Sequence, residues 1–192
     1  MKWITQFVKK LDLKRISIFC QNWGSLIGLR VAAENQDRFN RIILSNGGLP
    51  TGAEEMTEAF MNWREISRTV NPWPIGRFIQ AGTVSELSDD VIAGYEAPFP
   101  EEKYKAEAKA LPSRVPISAG DSEHEANKKA IELFRNWKKP FLTAFSDNDP
   151  ITKGGDRLFQ LIVPGAKGQP HKTIKDAGHF VQEDKGPQCA KK

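Results

Sequence analysis

The stretch Arg15 to Val31, RISIFCQNWGSLIGLRV, constrains this chain more than any other. Ile16, Ile18, Phe19 and Cys20 form a short, mostly apolar, β-rich run, the pattern of a strand buried on both faces. Gln21 to Gly24 interrupt it, and an apolar helical pattern starts at once in Leu26, Ile27, Leu29, Val31, Ala32 and Ala33. Going from strand to helix within so few residues requires a sharp turn. The small residues Cys20 and Gly24, two positions either side of Asn22, leave room for it. This is the pattern of a nucleophile elbow, which lifts its central side chain clear of the sheet and aims the next backbone N–H, that of Trp23, at whatever reacts there. The side chain on display is the amide of Asn22.

The rest of the chain repeats the alternation. The helix after the turn should end near Asn35, Arg41 to Leu44 reads as the next buried strand, and SNGGLPTG closes it with glycine and proline. Strand alternating with helix predicts an α/β fold on a mostly parallel sheet. From about residue 50 to 137 no comparable apolar strand occurs, and helical patterns are broken by NPWP, APFP, LPSRVP and SAGDS. This segment reads as an inserted helical cap, dividing the chain into core (1–49), cap (50–137) and core (138–192). Phe60 and Trp63 lie three apart on its first helix, and a later helix runs from Ser122 to Trp137 with Ser122 and Glu125 as a capping box. The strand Phe141 to Phe145 ends in SDNDP; a helix around 156–162, a short strand over 171–174 and the loop KDAGH follow. At the start, Trp3, Ile4, Phe7, Val8 and Leu11 share one helical face, which reads as a packed helix and not as a signal peptide.

At 192 residues the chain can bury one substantial core with a cap. The net charge of +4 comes from lysines and arginines scattered among acidic residues, so no nucleic-acid partner is expected. Cys20 and Cys189 are too few and too far apart for a disulfide framework, which points to a reducing, cytoplasmic setting. No stretch has the length of a membrane span.

The run CQNWGSLIGLRVAAENQDRFNRIILSNGGLPTG resembles the corresponding region of the haloalkane dehalogenases, and FMNW, YEAPFP, SDNDP and AGHFVQE continue the likeness in the same order. The resemblance implies an α/β-hydrolase core with a helical cap, whose first strands and one oxyanion-hole loop would precede residue 1. It implies a small halogenated organic substrate, water and a halide ion as partners, with no cofactor, metal or membrane. The elbow of the family reads Gln-Asp-Trp-Gly, and its Asp displaces halide from carbon. Here Asn22 holds that place.

By the same resemblance, His179 is the base that activates water and Asp149 the acid that orients it, with Asp147 as second choice. Trp23 and Trp63 match the family's halide-binding pair, in the branch whose second tryptophan lies in the cap. Indole N–H suits a desolvated anion because it donates and carries no competing lone pair. Phe60 would line the pocket, with Leu111, Pro112 and Val115 as further wall. His124, His171, Trp73 and Trp137 have no such context and read as structural. A neutral amide is a far poorer nucleophile than a carboxylate. Asn22 therefore stands for a decayed or repurposed homologue, an engineered trap, a sequence error, or a residue that the site itself deamidates. Two other readings stay open: an epoxide hydrolase using Tyr95 and Tyr104, and an inactive binding protein that keeps the pocket.

Overall fold

The computed structural model describes residues 1–190. Four parallel strands pair in chain order: β1 (Ile16–Gln21), β2 (Phe39–Ser45), β3 (Phe141–Ser146) and β4 (Lys172–Ile174). Cys20 pairs with Leu44, and Leu44 with Thr143, so the strand ends that carry the site lie side by side. Helix α1 (Lys2–Lys10) precedes the sheet, and α2 (Trp23–Glu34) connects β1 to β2. Between β2 and β3 the described residues form helices only: α3 (Glu58–Thr69), α4 (Ile75–Ala81), α5 (Asp89–Glu96), α6 (Ala106–Ala110) and α7 (His124–Phe134). Helix α8 (Gly155–Ile162) joins β3 to β4, and α9 (Val181–Ala190) ends the chain's described part. None of these helices is long and apolar enough to cross a membrane.

The period of two in the strands sorts the sheet's faces. Cys20, Ile42, Leu44, Phe141 and Phe145 point to one side, where Leu29, Val31 and Ala32 of α2, Phe134 of α7 and Phe159 of α8 close over them. Phe141 and Phe159 stack at 5.4 Å. Helix α7, inside the segment read as cap, thus also contributes to the main core, as does Trp137 just after it. Among the described residues the opposite face has only a small cluster, Ile174, Ala177 and Val181 with Ala144 and Cys189 against them.

Three expectations need correction. Strand β1 is not buried on both faces: it ends the sheet, with β2 as its only strand neighbour among the described residues, and Phe19 is 50% exposed. Helix α1 forms, yet of its apolar face only Val8 is buried and Trp3 is 87% exposed. The capping box at Ser122 and Glu125 is absent, because α7 starts at His124 with Glu123 at its N-cap and ends at Phe134, short of Trp137. Asp121 accepts from the Ile117 and Ser118 amides at 2.8 Å each, closing the turn before the helix, while His124 Nδ1 packs 2.6 Å from the Thr51 carbonyl.

Candidate active site

Asn22 joins β1 to α2 at φ 49° and ψ −128°, a region that residues with a Cβ rarely occupy and that costs on the order of 1–3 kcal/mol. The surroundings impose it. Asn22 N donates to the Asn46 carbonyl at 3.0 Å, and Ser25 N donates to the Asn22 carbonyl at 2.9 Å. Ser25 Oγ lies 2.5 Å from that carbonyl and 2.9 Å from the Gly48 carbonyl, its one proton serving either, while it accepts from Gly48 N at 2.8 Å. The close approaches fall at Gly28 and Gly47, not at Gly24. A Cβ on Gly28 would stand 2.6 Å from Cys20 Sγ and one on Gly47 2.8 Å from Ser25 Cβ, whereas one on Gly24 would meet nothing within 4 Å.

At the end of β3, Asp149 is 3% exposed and His179, in the loop after β4, 6%. His179 Nδ1 and Asp149 Oδ2 are 3.0 Å apart. Asp149 Oδ2 also takes the Thr152 hydroxyl, and Oδ1 accepts from Ile151 N at 2.9 Å. Burial pushes the Asp149 pKa up. The bond and charge of His179, the Thr152 hydroxyl and the Ile151 amide outweigh it, so the group stays below the ordinary carboxylate range. An ionised Asp149 accepts the Nδ1 proton, the arrangement that makes Nε2 the acceptor whenever the imidazole is neutral. Asp147 turns elsewhere, bonded by Asn148 Nδ2 at 2.8 Å and 3.5 Å from Lys175 Nζ.

One residue that sequence reasoning missed ties these parts together. Asn46, fully buried after β2, directs the two protons of Nδ2 at three acceptors, Ser146 Oγ at 2.7 Å and the Gly178 and His179 carbonyls at 2.9 Å each. Its Oδ1 accepts from Ser146 N at 2.8 Å, and Gln21 Nε2 adds a further bond to the His179 carbonyl at 2.9 Å. SNGG after an apolar strand looks like turn chemistry. The available signal was a polar side chain ending the strand beside the elbow strand.

Trp23 opens α2 and is half-buried. Trp63, half-buried on α3, packs 5.4 Å from the buried Trp73 and 4.9 Å from Phe78; Phe60 is buried one turn earlier. Pro112 and Val115 are buried and Leu111 half-buried, in a segment whose Pro112 and Val115 carbonyls accept from Arg64 Nη1 at 3.1 and 2.9 Å. His171 is structural: Nδ1 accepts from Thr143 N at 3.1 Å, so Nε2 donates to the Ala166 carbonyl at 2.9 Å. The Tyr95 hydroxyl donates to Glu183 Oε1 at 2.5 Å, with burial and then that carboxylate pushing its pKa up to about 12, and Tyr104 is exposed.

The chain is 47% identical over 191 residues to the haloalkane dehalogenase of Psychrobacter cryohalolentis, covering 100% of this chain and 63% of that protein. It is 45% identical over 190 residues to the haloalkane dehalogenase of Mycolicibacterium paratuberculosis, covering 99% of this chain and 63% of that one. Among solved structures, the tetrameric haloalkane dehalogenase DpaA from Paraglaciecola agarilytica NO2 matches with a TM-score of 0.87 at 30% identity, over 98% of this chain and 62% of that one. No family model matches. The chain thus spans less than two thirds of the length of these relatives. With this identity running from end to end and the same fold beneath it, the chain is, along its whole length, a homologue of the part of the haloalkane dehalogenases that it spans.

Proposed function

We propose that the chain carries a halide-binding hydrolase site for small halogenated organic molecules, with Asn22 at the nucleophile position, His179 as base, Asp149 as the acid that orients it, and Trp23 and Trp63 as halide donors. The observation that carries this reading is the buried His179–Asp149 pair, tied through Asn46 to a strained elbow. Phe60, Leu111, Pro112 and Val115 form the pocket wall, and residues 50–137 act as the cap over a core made of 1–49 and 138–192, into which the end of the cap segment, α7 and Trp137, also packs. The reading includes a cytoplasmic setting, supported by the free cysteines Cys20 and Cys189.

With Asp at the elbow, a carboxylate oxygen attacks the halogen-bearing carbon and the carbon–halogen electron pair leaves as halide. The alkyl ester so formed is then attacked at its carbonyl by water that gives its proton to His179 Nε2, and the alcohol departs as the carboxylate reforms. Asn22 withholds the attacking charge. The amide oxygen is neutral, and no neighbouring base can make the intact amide a nucleophile comparable to a carboxylate. The chain as it stands therefore binds halide without turnover, which also fits a binding protein that has kept the pocket.

Bromide titration tests this. The expected result is a saturable change in tryptophan emission that Trp63→Phe removes, together with halide release from 1,2-dibromoethane only after Asn22→Asp. A purely linear, collisional change in the folded protein counts against the halide site. Halide release by a chain whose elbow peptide still contains Asn22 overturns the nucleophile assignment.

A further inference from the structure

Helix α9 opens two residues after His179, and its first turn carries two adjacent carboxylates that reach into the segment 50–137. Glu183 takes the Tyr95 hydroxyl. Asp184 does more: Oδ1 accepts from Ser85 N at 2.7 Å, both oxygens lie within reach of Val84 N at 3.1 and 3.0 Å, and Oδ2 accepts from Gly178 N at 2.7 Å. Gly178 immediately precedes His179. On the other side of the histidine, Phe180 N donates to the Gly82 carbonyl at 3.1 Å. The imidazole is thus flanked by two residues tied to the Gly82–Ser85 turn, one directly and one through Asp184.

The contact leaves no slack. A Cβ on Gly178 would come 2.5 Å from the Gly82 carbonyl oxygen, and one on Gly82 would come 2.5 Å from the Phe180 ring. From the core side, Asn46 and Gln21 hold the same loop, but only by its carbonyls. The core anchor thus holds the carbonyl side of both peptide planes flanking His179; the Phe180 amide holds the second of them from the turn side, and Asp184, through Gly178 N, holds the plane immediately before the first. Those planes set the direction of its side chain.

We propose that Asp184 is a positioning residue: by bridging the Val84 and Ser85 amides to the Gly178 amide, it makes the placement of the 82–85 turn and the aim of the His179 ring at Asp149 a single setting. This deepens the reading of His179 as base and rests on it. The bridge requires a carboxylate, since each oxygen accepts from a different segment. An amide would turn its NH2 against Ser85 N or Gly178 N and break one side.

The test is NMR on the whole chain, with Asp184→Asn and Asp184→Glu. In Asp184→Asn, the Ser85 and Gly178 amides should exchange faster together, by roughly tenfold for one lost hydrogen bond. The downfield His179 Nδ1 proton bonded to Asp149 should shift or broaden, and the histidine's titration should move with it. Asp184→Glu, which restores both acceptors, should bring the Nδ1 signal most of the way back. If Asp184→Asn does not fold, the glutamate variant decides alone: its displacement of the Nδ1 signal must follow that of the Ser85 amide. A His179 signal and titration unchanged while Ser85 exchange rises would leave Asp184 with a purely structural role and overturn the proposal, as would no change in either. None of these readings needs turnover or halide, so a failure of the dehalogenase reading shows separately, as absence of halide release from Asn22→Asp.

Discussion

At Asn22 the backbone and the chemistry ask for different things. At φ 49° and ψ −128° any residue with a Cβ is strained, and Asn and Asp, having the same shape, bear that strain alike, while only Asp supplies a nucleophile. The backbone geometry was legible from the spacing of strand, turn and helix; the amide at its tip was legible only as a departure from a resembled motif. Asn46 was not legible, because its role depends on carbonyls some 130 residues later, at Gly178 and His179. Asp149 shows the energetics most directly. Its folded pKa lies below the unfolded value of about 3.9, so its contribution is complete above that pH and is lost as pH falls through the folded value. Asp149→Asn should cost about 1–3 kcal/mol at neutral pH, by removing the charged partner of a buried His179. Urea midpoints of wild type and Asp149→Asn should converge below about pH 4. Midpoints that stay equally far apart in acid would sink this account.

Elements were read best where a period and a boundary residue agreed. Helix α2 ends at Glu34 with Asn35 as its C-cap, where an end near Asn35 is expected, and β3 and α8 fall within a residue of their expected limits. Helix α7 shows the opposite case: Ser122 and Glu125 have the right spacing, yet no side chain caps the helix and the start moves to His124, while Asp121 binds the Ile117 and Ser118 amides of the preceding turn. Spacing proposes a cap; where the backbone turns into the helix decides it. The glycines around the elbow make the same point about packing. Gly47→Ala would drive a Cβ into Ser25, which already bonds three partners, and should cost about 1–3 kcal/mol. Gly24→Ala, in helical backbone with open space beside it, should instead stabilise by about 0.5–1 kcal/mol. Thermal unfolding of the two variants checks both signs. Equal effects would mean that the elbow is not packed as described.

At the scale of the whole molecule, burial is uneven. One sheet face is closed by α2, α7 and α8, whereas the other has a small cluster by β4 and leaves Phe19 half exposed on β1. Sequence could not show this, because an apolar alternation tells which residues prefer burial and not whether a partner layer is present to bury them. Helix α1 is the plainest example. Its apolar face predicts packing, yet Trp3, Ile4, Phe7 and Leu11 are 87, 45, 56 and 57% exposed. Side chains of this kind are each worth roughly 1.5–3 kcal/mol when fully removed from water. The strand at the sheet's end adds backbone N–H and C=O groups facing outward, which template pairing with another chain. The 192-residue chain should therefore self-associate in a concentration-dependent way. Phe7→Lys with Phe19→Lys should shift it towards monomer while leaving the unfolding midpoint nearly unchanged, since neither side chain is buried in the core. Sedimentation velocity across a concentration series measures the first effect and thermal unfolding the second. A wild-type chain that stays monodisperse and monomeric at the highest concentration, with a cooperative transition, would show that these surfaces find cover within the molecule in solution.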